Sequence, residues 1–211
     1  MSMVKFVYFD IGGVLLFDFS GSNKWQKMKQ DLGVTEHNEE AFNNVWQQHR
    51  NAICVDCDVD TLLPKIAAVP GVTFARDYSM LDDFVDRFEP NGGMWEIAQQ
   101  AHKQFRIGLL TNMYPRMLDK IRQAQLIPDL PWDAVIDSST VRAQKPDERI
   151  FQIAQQQAGV NPDEIFFIDN SLKNVEAAQA FGWQAVLYDP QDTEASNALL
   201  IESLGLEKRH S

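Results

Sequence analysis

The fold of this chain is indicated near its N-terminus by the stretch VKFVYFDIGGV at residues 4–14. Its first half is apolar apart from Lys5, which is typical of a parallel strand that is buried on both faces. The strand leads one carboxylate, Asp10, into a glycine turn, and ligands of open parallel sheets bind at the carboxyl ends of the strands. Two residues after Asp10 the chain has Gly12, so this position of the turn carries no second acid.

Five stretches predict the strands of one sheet, because each is a short and mostly apolar run. They are residues 5–9, 106–110, 134–136, 165–168 and 184–187. Helical patterns follow the second, third and fourth of these strands, at residues 115–124, 148–158 and 172–181. Alternating strands and helices favour right-handed crossovers. The predicted fold class is therefore α/β, with a doubly wound parallel sheet.

The region between the first two strands differs from the rest, because it shows helical patterns and no clear strand. The predicted helices are at residues 23–32, 38–50, 59–67 and 80–87. The tetrapeptide Pro90-Asn91-Gly92-Gly93 after them is expected to break the chain. We therefore predict an α/β core domain of residues 1–18 and 89–211, with a helical cap domain of residues 19–88 inserted into it.

Composition narrows the class of protein. Nineteen basic and 30 acidic residues give a net charge of -11, which argues against nucleic acid or an anionic membrane as the main partner. No apolar run approaches the ~20 residues that span a bilayer, and no signal-peptide pattern is present, so a cytoplasmic protein is expected. The two cysteines, Cys54 and Cys57, have no second pair for a zinc site, and the neighbouring acids are expected to raise the thiol pKa and disfavour redox chemistry.

Polar residues of types that take part in catalysis and ligand binding follow three of the predicted strands. They are Asp10 after the first strand, Thr111-Asn112 after the second and Asp169-Asn170 after the fourth. Lys145 lies at the start of the helix that follows the third strand. Each taken singly is also typical of a turn or a helix cap. Because the carboxyl ends of parallel strands share one edge, we expect all of them to converge there.

A carboxylate, a hydroxyl, a lysine and a second acid together indicate phosphoryl chemistry. A carboxylate can attack phosphorus and form an aspartyl phosphate. The transferred group carries negative charge, which Lys145, Thr111 and the backbone N–H of Asn112 are placed to stabilise. Two acids and a backbone carbonyl are oxygen ligands of the kind that Mg²⁺ prefers.

At this point the chain resembles the haloacid dehalogenase superfamily of hydrolases, in its phosphatase branch with a helical C1-type cap. Four motifs carry the resemblance in order: FDIGGV at 9–14, LLTN at 109–112, KPDERIF at 145–151 and FIDNSLKNV at 167–175. The resemblance implies an Mg²⁺-dependent phosphatase of a small phosphorylated metabolite. It implies catalytic roles for Asp10, Thr111 and Lys145.

The same resemblance implies two sets of ligands. The phosphate would be bound by Gly12, Gly13, Thr111, Asn112 and Lys145. The metal would be held by Asp10, the carbonyl of Gly12, Asp169 and Asn170. The oligomeric state is not readable from the sequence.

Two positions depart from the family pattern. Gly12 stands where the family usually has the general acid/base Asp, and Asn170 stands where the fourth motif usually has a second acid. An impaired member that serves in binding or regulation is therefore an alternative function, and a metal-free 2-haloacid dehalogenase is a weaker one. Asp18 could replace the missing acid, although a hinge or capping role is the more common one for such a residue. The cap is expected to select the substrate. Its possible phosphate or carboxylate partners are Lys24, Lys27, Arg50 and Lys65, and Trp25 and Trp46 are possible wall residues, although each is more commonly a surface charge or part of the cap core.

Overall fold

The fold is that of a computed structural model, which describes residues 3–207 of the 211. The strands in chain order are β1 Phe6–Phe9, β2 Leu16–Phe17, β3 Glu89–Pro90, β4 Arg106–Thr111, β5 Ala134–Asp137, β6 Ile165–Asp169 and β7 Gln184–Leu187. Five of them form one parallel sheet in the order β5-β4-β1-β6-β7. The predicted doubly wound α/β class is confirmed, and each of these five strands starts within one residue of its predicted position.

Helices cover both faces of this sheet. In chain order they are α1 Lys24–Asp31, α2 Glu39–Ile53, α3 Leu63–Ala67, α4 Met80–Asp86, α5 Gly92–His102, α6 Met117–Gln123, α7 Ser138–Val141, α8 Glu148–Ala158, α9 Leu172–Ala180 and α10 Thr193–Leu204. Short 3-10 turns lie at Val59–Leu62 and Pro162–Glu164. The predicted helix at 59–67 is therefore a 3-10 turn followed by α3, and α5, α7 and α10 are absent from the sequence prediction.

The alternation of side chains along β1 explains why the strand is apolar throughout. Phe6 and Tyr8 point to the face that α8 and α9 cover, whereas Val7 and Phe9 point to the face that α5, α6 and α10 cover. All four side chains are fully buried. Burial of a large apolar side chain stabilises a fold by roughly 1.5–3 kcal/mol, so a strand in this central position favours apolar residues on both faces.

The two connections to the helical segment pair with each other. Strands β2 and β3 run antiparallel, with Leu16 opposite Pro90 and Phe17 opposite Glu89. The chain break predicted at residues 90–93 is instead the start of α5. The Asn91 side chain accepts a hydrogen bond there from the backbone N–H of Met94 at 3.4 Å. Asn91 is a cap residue, and Asn is among the residues that helix N-termini favour. The domain division at residues 19 and 89 stays a prediction, and its residues 1, 2 and 208–211 lie outside the described part.

The position of β1 between β4 and β6 determines what meets at the sheet edge. Phe9 is opposite Leu109 on one side and Ile168 on the other, so the next turns of the chain start at the same level. The carboxyl ends of these three strands therefore lie side by side. Among residues 3–207, no helix combines the length and the apolar character needed to cross a membrane.

Candidate active site

A buried lysine connects two carboxylates at this edge of the sheet. The Nζ atom of Lys145 lies 2.9 Å from Oδ1 of Asp10 and 2.6 Å from Oδ2 of Asp169. It also donates a hydrogen bond to the carbonyl oxygen of Leu110 at 2.9 Å. Lys145, Asp10 and Asp169 are only 2%, 8% and 0% exposed. Three residues that are far apart in sequence thus form one hydrogen-bonded ionic cluster.

The charges in this cluster depend on one another. Burial raises the pKa of Asp10, the nearby Asp169 adds to the increase, and Lys145 opposes it. Burial would lower the pKa of Lys145, but the two carboxylates raise it instead, and the ammonium form is therefore favoured. Without the lysine, two buried carboxylates would face each other with no opposite charge.

The residues after β4 hold Lys145 in position. The Asn112 side chain donates to the carbonyl oxygen of Lys145 and accepts from its backbone N–H, both at 2.8 Å. The side chain of Asn112 thereby sets the position of Lys145, a role that the sequence interpretation missed because it considered only the backbone of Asn112. Thr111, the last residue of β4, is 1% exposed and lies at the wall of the cavity next to Asp10.

Asp169 is held by the first turn of α9. Its Oδ1 atom accepts a hydrogen bond from the backbone N–H of Ser171 at 2.7 Å, and the Asn174 amide donates to both carboxylate oxygens at 3.1 Å. The sequence interpretation did not single out Asn174, although its position five residues after Asp169 inside the fourth motif was a usable signal. Within the described residues, the Oδ1 atom of Asn174 is buried and has no hydrogen-bond partner.

The glycine turn after β1 leaves room for two polar side chains. Gly13 has φ +73°, which favours glycine, and a Cβ atom there would collide with the amide of Asn170. A Cβ atom on Gly12 would lie 2.5 Å from Oδ2 of Asp18. The other carboxylate oxygen of Asp18 accepts from the backbone N–H of Ser20 at 2.8 Å. Asn170 and Asp18 thus lie directly beside the loop that carries Asp10.

These groups open into a cavity of about 170 Å³ between the sheet edge and the helical segment. Its polar wall consists of Asp10, Gly12, Asp18, Ser20, Thr111, Asn112 and Asn170. Its remaining wall consists of Ile11, Leu16, Phe19, Cys54, Phe84, Phe88, Met113, Tyr114, Met117 and Ile121. None of the six cap candidates (Lys24, Lys27, Arg50, Lys65, Trp25 and Trp46) is part of this wall. Trp25 and Trp46 pack on Phe84 instead.

The cysteines give no sign of redox chemistry. Both are free, and Cys54 lies in the cavity wall. Burial raises the pKa of the Cys54 thiol to about 11, with a partly opposing effect of Arg50 and a smaller increase from Asp137. The sequence interpretation attributed such a shift to the neighbouring acids, whereas for Cys54 burial is the main cause.

The donor groups at the sheet edge fit a hard cation. The candidate ligands are the carboxylates of Asp10 and Asp169, the carbonyl of Gly12 and the amide oxygen of Asn170. All four would bind a metal ion through oxygen. Among residues 3–207, no group of three or more His, Cys, Asp or Glu side chains is placed to hold a metal ion. Mg²⁺ is commonly held by one or two carboxylates together with water and substrate phosphate, so this set suits it.

Comparison with known proteins identifies the family of the chain. The family model for haloacid dehalogenase-like hydrolases matches residues 4–182. The Rhythmically expressed gene 2 protein of Drosophila melanogaster is 31% identical over 127 residues, which are 56% of this chain and 46% of that protein. The matched part thus spans less than half the length of that relative. The sesquiterpene phosphatase astK of Aspergillus oryzae is 25% identical over 84% of this chain and 86% of its own length.

A solved structure supports the fold. A haloacid dehalogenase family enzyme from Bacteroides thetaiotaomicron, in complex with magnesium and inorganic phosphate, superimposes with a TM-score of 0.68 at 18% identity. The alignment covers 88% of this chain and 94% of that enzyme. The family match extends over most of the chain and includes every residue of the ionic cluster. The chain is therefore a member of the haloacid dehalogenase-like hydrolases.

Proposed function

We propose that this hydrolase is an Mg²⁺-dependent phosphatase of a small phosphorylated metabolite, with Asp10 as its nucleophile. The observation that carries the proposal is the position of the Lys145 ammonium between Asp10 and Asp169, where Asp10 and Thr111 line the same cavity. The likeness to a sesquiterpene phosphatase over most of both chains supports a phosphoester substrate.

In the proposed first step, a carboxylate oxygen of Asp10 attacks phosphorus, and the bond from phosphorus to the alcohol oxygen breaks. The phosphoryl group is then an acyl phosphate on Asp10. The hydroxyl of Thr111 and the ammonium of Lys145 stabilise the negative charge on the phosphoryl oxygens. When bound, Mg²⁺ supplies further positive charge at these oxygens and reduces their repulsion from Asp10. In the second step, water attacks phosphorus, the bond from phosphorus to the Asp10 oxygen breaks, and inorganic phosphate leaves while the carboxylate of Asp10 is restored.

Both steps need a group that moves a proton. In this proposal the carboxyl group of Asp18 protonates the departing alcohol oxygen and then accepts a proton from the attacking water. Its Oδ2 atom lies in the space next to Gly12, in the wall of the same cavity as Asp10. Proton transfer of this kind accelerates reactions by roughly 10²–10⁴-fold. Asp18 would then take the role of the general acid/base Asp that the family usually has at position 12.

The test is the hydrolysis of 4-nitrophenyl phosphate by the full chain, with Mg²⁺ and with a chelator. We expect Mg²⁺-dependent turnover that Asp10→Asn abolishes, and a phosphorylated form of the wild type that acid quenching preserves for mass spectrometry. Asp129→Asn is the matched control, because Asp129 is exposed and lies outside the cavity wall. Turnover that survives Asp10→Asn would refute the proposal. Absence of turnover on a broad panel of phosphoesters would favour the impaired binding protein instead.

A further inference from the structure

The wall of the cavity opposite Asp10 is apolar, and this character limits the substrate. We infer that the group esterified to the phosphate is a small, uncharged and largely apolar alcohol, such as an aryl, benzyl or short branched alkyl alcohol. The inference rests on the proposed function, since it concerns the leaving group in the same cavity. It excludes phosphorylated amino acids, carboxylic acids and sugars as preferred substrates.

The apolar wall is built from side chains that other contacts already hold. Phe84, Met117 and Ile121 are 1%, 4% and 0% exposed, and the rings of Phe84 and Tyr114 pack with centroids 5.7 Å apart. Phe19 adds an edge contact to Phe84 at 5.1 Å. The surface that an apolar ligand would cover lies mainly on the half-buried Phe19, Cys54 and Tyr114, because the fully buried side chains behind them have almost none left to cover.

The charges around the cavity disfavour an anionic leaving group. Within the described residues, the wall contains two carboxylates, of Asp10 and Asp18, and no Lys, Arg or His. Two nearby cations outside the wall are Lys24, which pairs with Glu89 at 2.9 Å, and Arg50, which is exposed to solvent but close enough to lower the pKa of the wall residues Cys54 and Tyr114 in part. A carboxylate on the leaving group would therefore find no Lys, Arg or His side chain in the wall to pair with, because Lys145 is buried and already pairs with Asp10 and Asp169.

The hydrogen-bonding groups of the wall also disfavour a leaving group with several hydroxyl groups, such as a sugar. Asn112 uses its side-chain amide on the backbone of Lys145, and Asp18 accepts from the backbone of Ser20. Ser20, Tyr114 and Asn170 leave a few polar groups in the wall, but a sugar hydroxyl that faces the apolar side chains would lose its water without gaining a partner, and such unpaired groups are costly.

The size of the cavity limits the substrate further. Its volume is about 170 Å³. An engineered protein cavity of about 150 Å³ lined by apolar side chains holds one benzene molecule. Because the phosphoryl group beside Asp10 takes part of this volume, the leaving group inside the cavity is limited to about one ring or a short branched chain at most.

The experiment compares kcat/KM of the holoenzyme for four esters: benzyl phosphate, 3-methylbutyl phosphate, phosphoserine and glycerol 3-phosphate. We expect the first two to exceed the last two by about 100-fold, since a site without polar partners discriminates at this level. Equal or higher values for phosphoserine or glycerol 3-phosphate would overturn the inference.

A binding measurement separates this inference from the proposed function. Thermal shifts of Asp10→Asn are recorded with benzylphosphonate and with phosphonoacetate, neither of which needs turnover. A larger shift with benzylphosphonate supports the apolar site even if no ester is hydrolysed, in which case only the phosphatase proposal fails. A larger shift with phosphonoacetate overturns the inference.

A charge variant tests the cause of the selectivity. Ser20 is exposed at the rim of the cavity, so Ser20→Lys introduces a cation there with little risk to folding. We expect it to improve kcat/KM for phosphoserine relative to benzyl phosphate by about tenfold. Ser22→Lys is the matched control, because Ser22 is exposed in the same loop but is not part of the wall. An unchanged ratio in Ser20→Lys would contradict the charge argument.

Discussion

The carboxylate of Asp18 occupies the space in which a side chain on Gly12 would begin. Oδ2 of Asp18 is 2.5 Å from the position of a Cβ atom on Gly12, closer than real Cβ atoms approach an oxygen. A side chain at position 12, such as the acid that the family usually has there, would therefore have to displace the carboxylate of Asp18. The two residues are six positions apart, and the turn between them brings a carboxylate back to the loop of the nucleophile.

Asp18→Asn tests proton transfer by this carboxylate. We expect kcat for benzyl phosphate to fall roughly 10²–10⁴-fold, because the benzyl alkoxide needs a proton in order to leave. The loss for 4-nitrophenyl phosphate should be smaller, since nitrophenolate leaves without one. The amide still offers an oxygen to the N–H of Ser20, so the loop conformation is retained. Steady-state kinetics with both esters decide the point, and equal losses would count against proton donation.

Gly12→Asp tests the steric relationship. Alone, this substitution places a Cβ atom against Asp18 and adds a second negative charge, so we expect lower activity and a lower Tm. Combined with Asp18→Ala, the new carboxylate has the space that Asp18 leaves, and both quantities should recover. The measurements are kcat and thermal unfolding of the two single variants and the double variant. Additive losses in the double variant would show that the two positions do not share this space.

Lys145→Met is expected to destabilise the protein. It leaves the carboxylates of Asp10 and Asp169 buried without the ammonium that lies 2.9 Å and 2.6 Å from them. Breaking a buried ion pair in this way costs about 3–5 kcal/mol. Urea unfolding with a chelator present measures the free energy of unfolding. The double variant Lys145→Met/Asp10→Asn should recover part of the loss, because it removes one of the two charges, and a further loss in that variant would contradict the electrostatic cause.

Asn170→Asp is expected to strengthen Mg²⁺ binding. A carboxylate in place of this amide adds one negative charge to the proposed ligand set, and the dissociation constant should fall by about tenfold. Titration calorimetry with MgCl₂ measures it directly. Gln157→Glu is the control, since it adds the same charge at an exposed position of α8. If the two variants bind Mg²⁺ alike, Asn170 is not a ligand.

Asn91→Ala is expected to loosen the base of the helical segment. The buried amide of Asn91 donates to the carbonyl oxygen of Val14 at 2.8 Å and to the hydroxyl of Tyr188 at 2.9 Å, and its oxygen caps α5. Loss of these bonds in a buried place should cost about 2–3 kcal/mol in the free energy of unfolding. Urea unfolding checks this value. A cost below about 0.5 kcal/mol, the size typical of surface substitutions, would mean that the amide is dispensable.

Much of the sheet could be predicted because β1, β4, β5 and β6 are almost entirely buried, and the partly exposed edge strand β7 is still a mostly apolar run. Each reads as a short apolar run, and β7 is the only one of the five that matches its predicted bounds at both ends. The pair β2–β3 could not be predicted, since each strand has two residues and depends on the other, 73 positions away. Helix α5 was missed because its two initial glycines are typical of a chain break, whereas its cap and buried face stabilise it in place.

The sequence by itself determined the family, the parallel sheet and the residues at its carboxyl edge, because local apolar runs and short motifs contain that information. Only the tertiary structure decided how those residues contact one another. The position of Lys145 between two carboxylates, the approach of Asp18 to Gly12 and the apolar wall opposite Asp10 all join segments that are distant in sequence. Such contacts depend on how helices and turns pack in three dimensions, and local sequence patterns do not encode them.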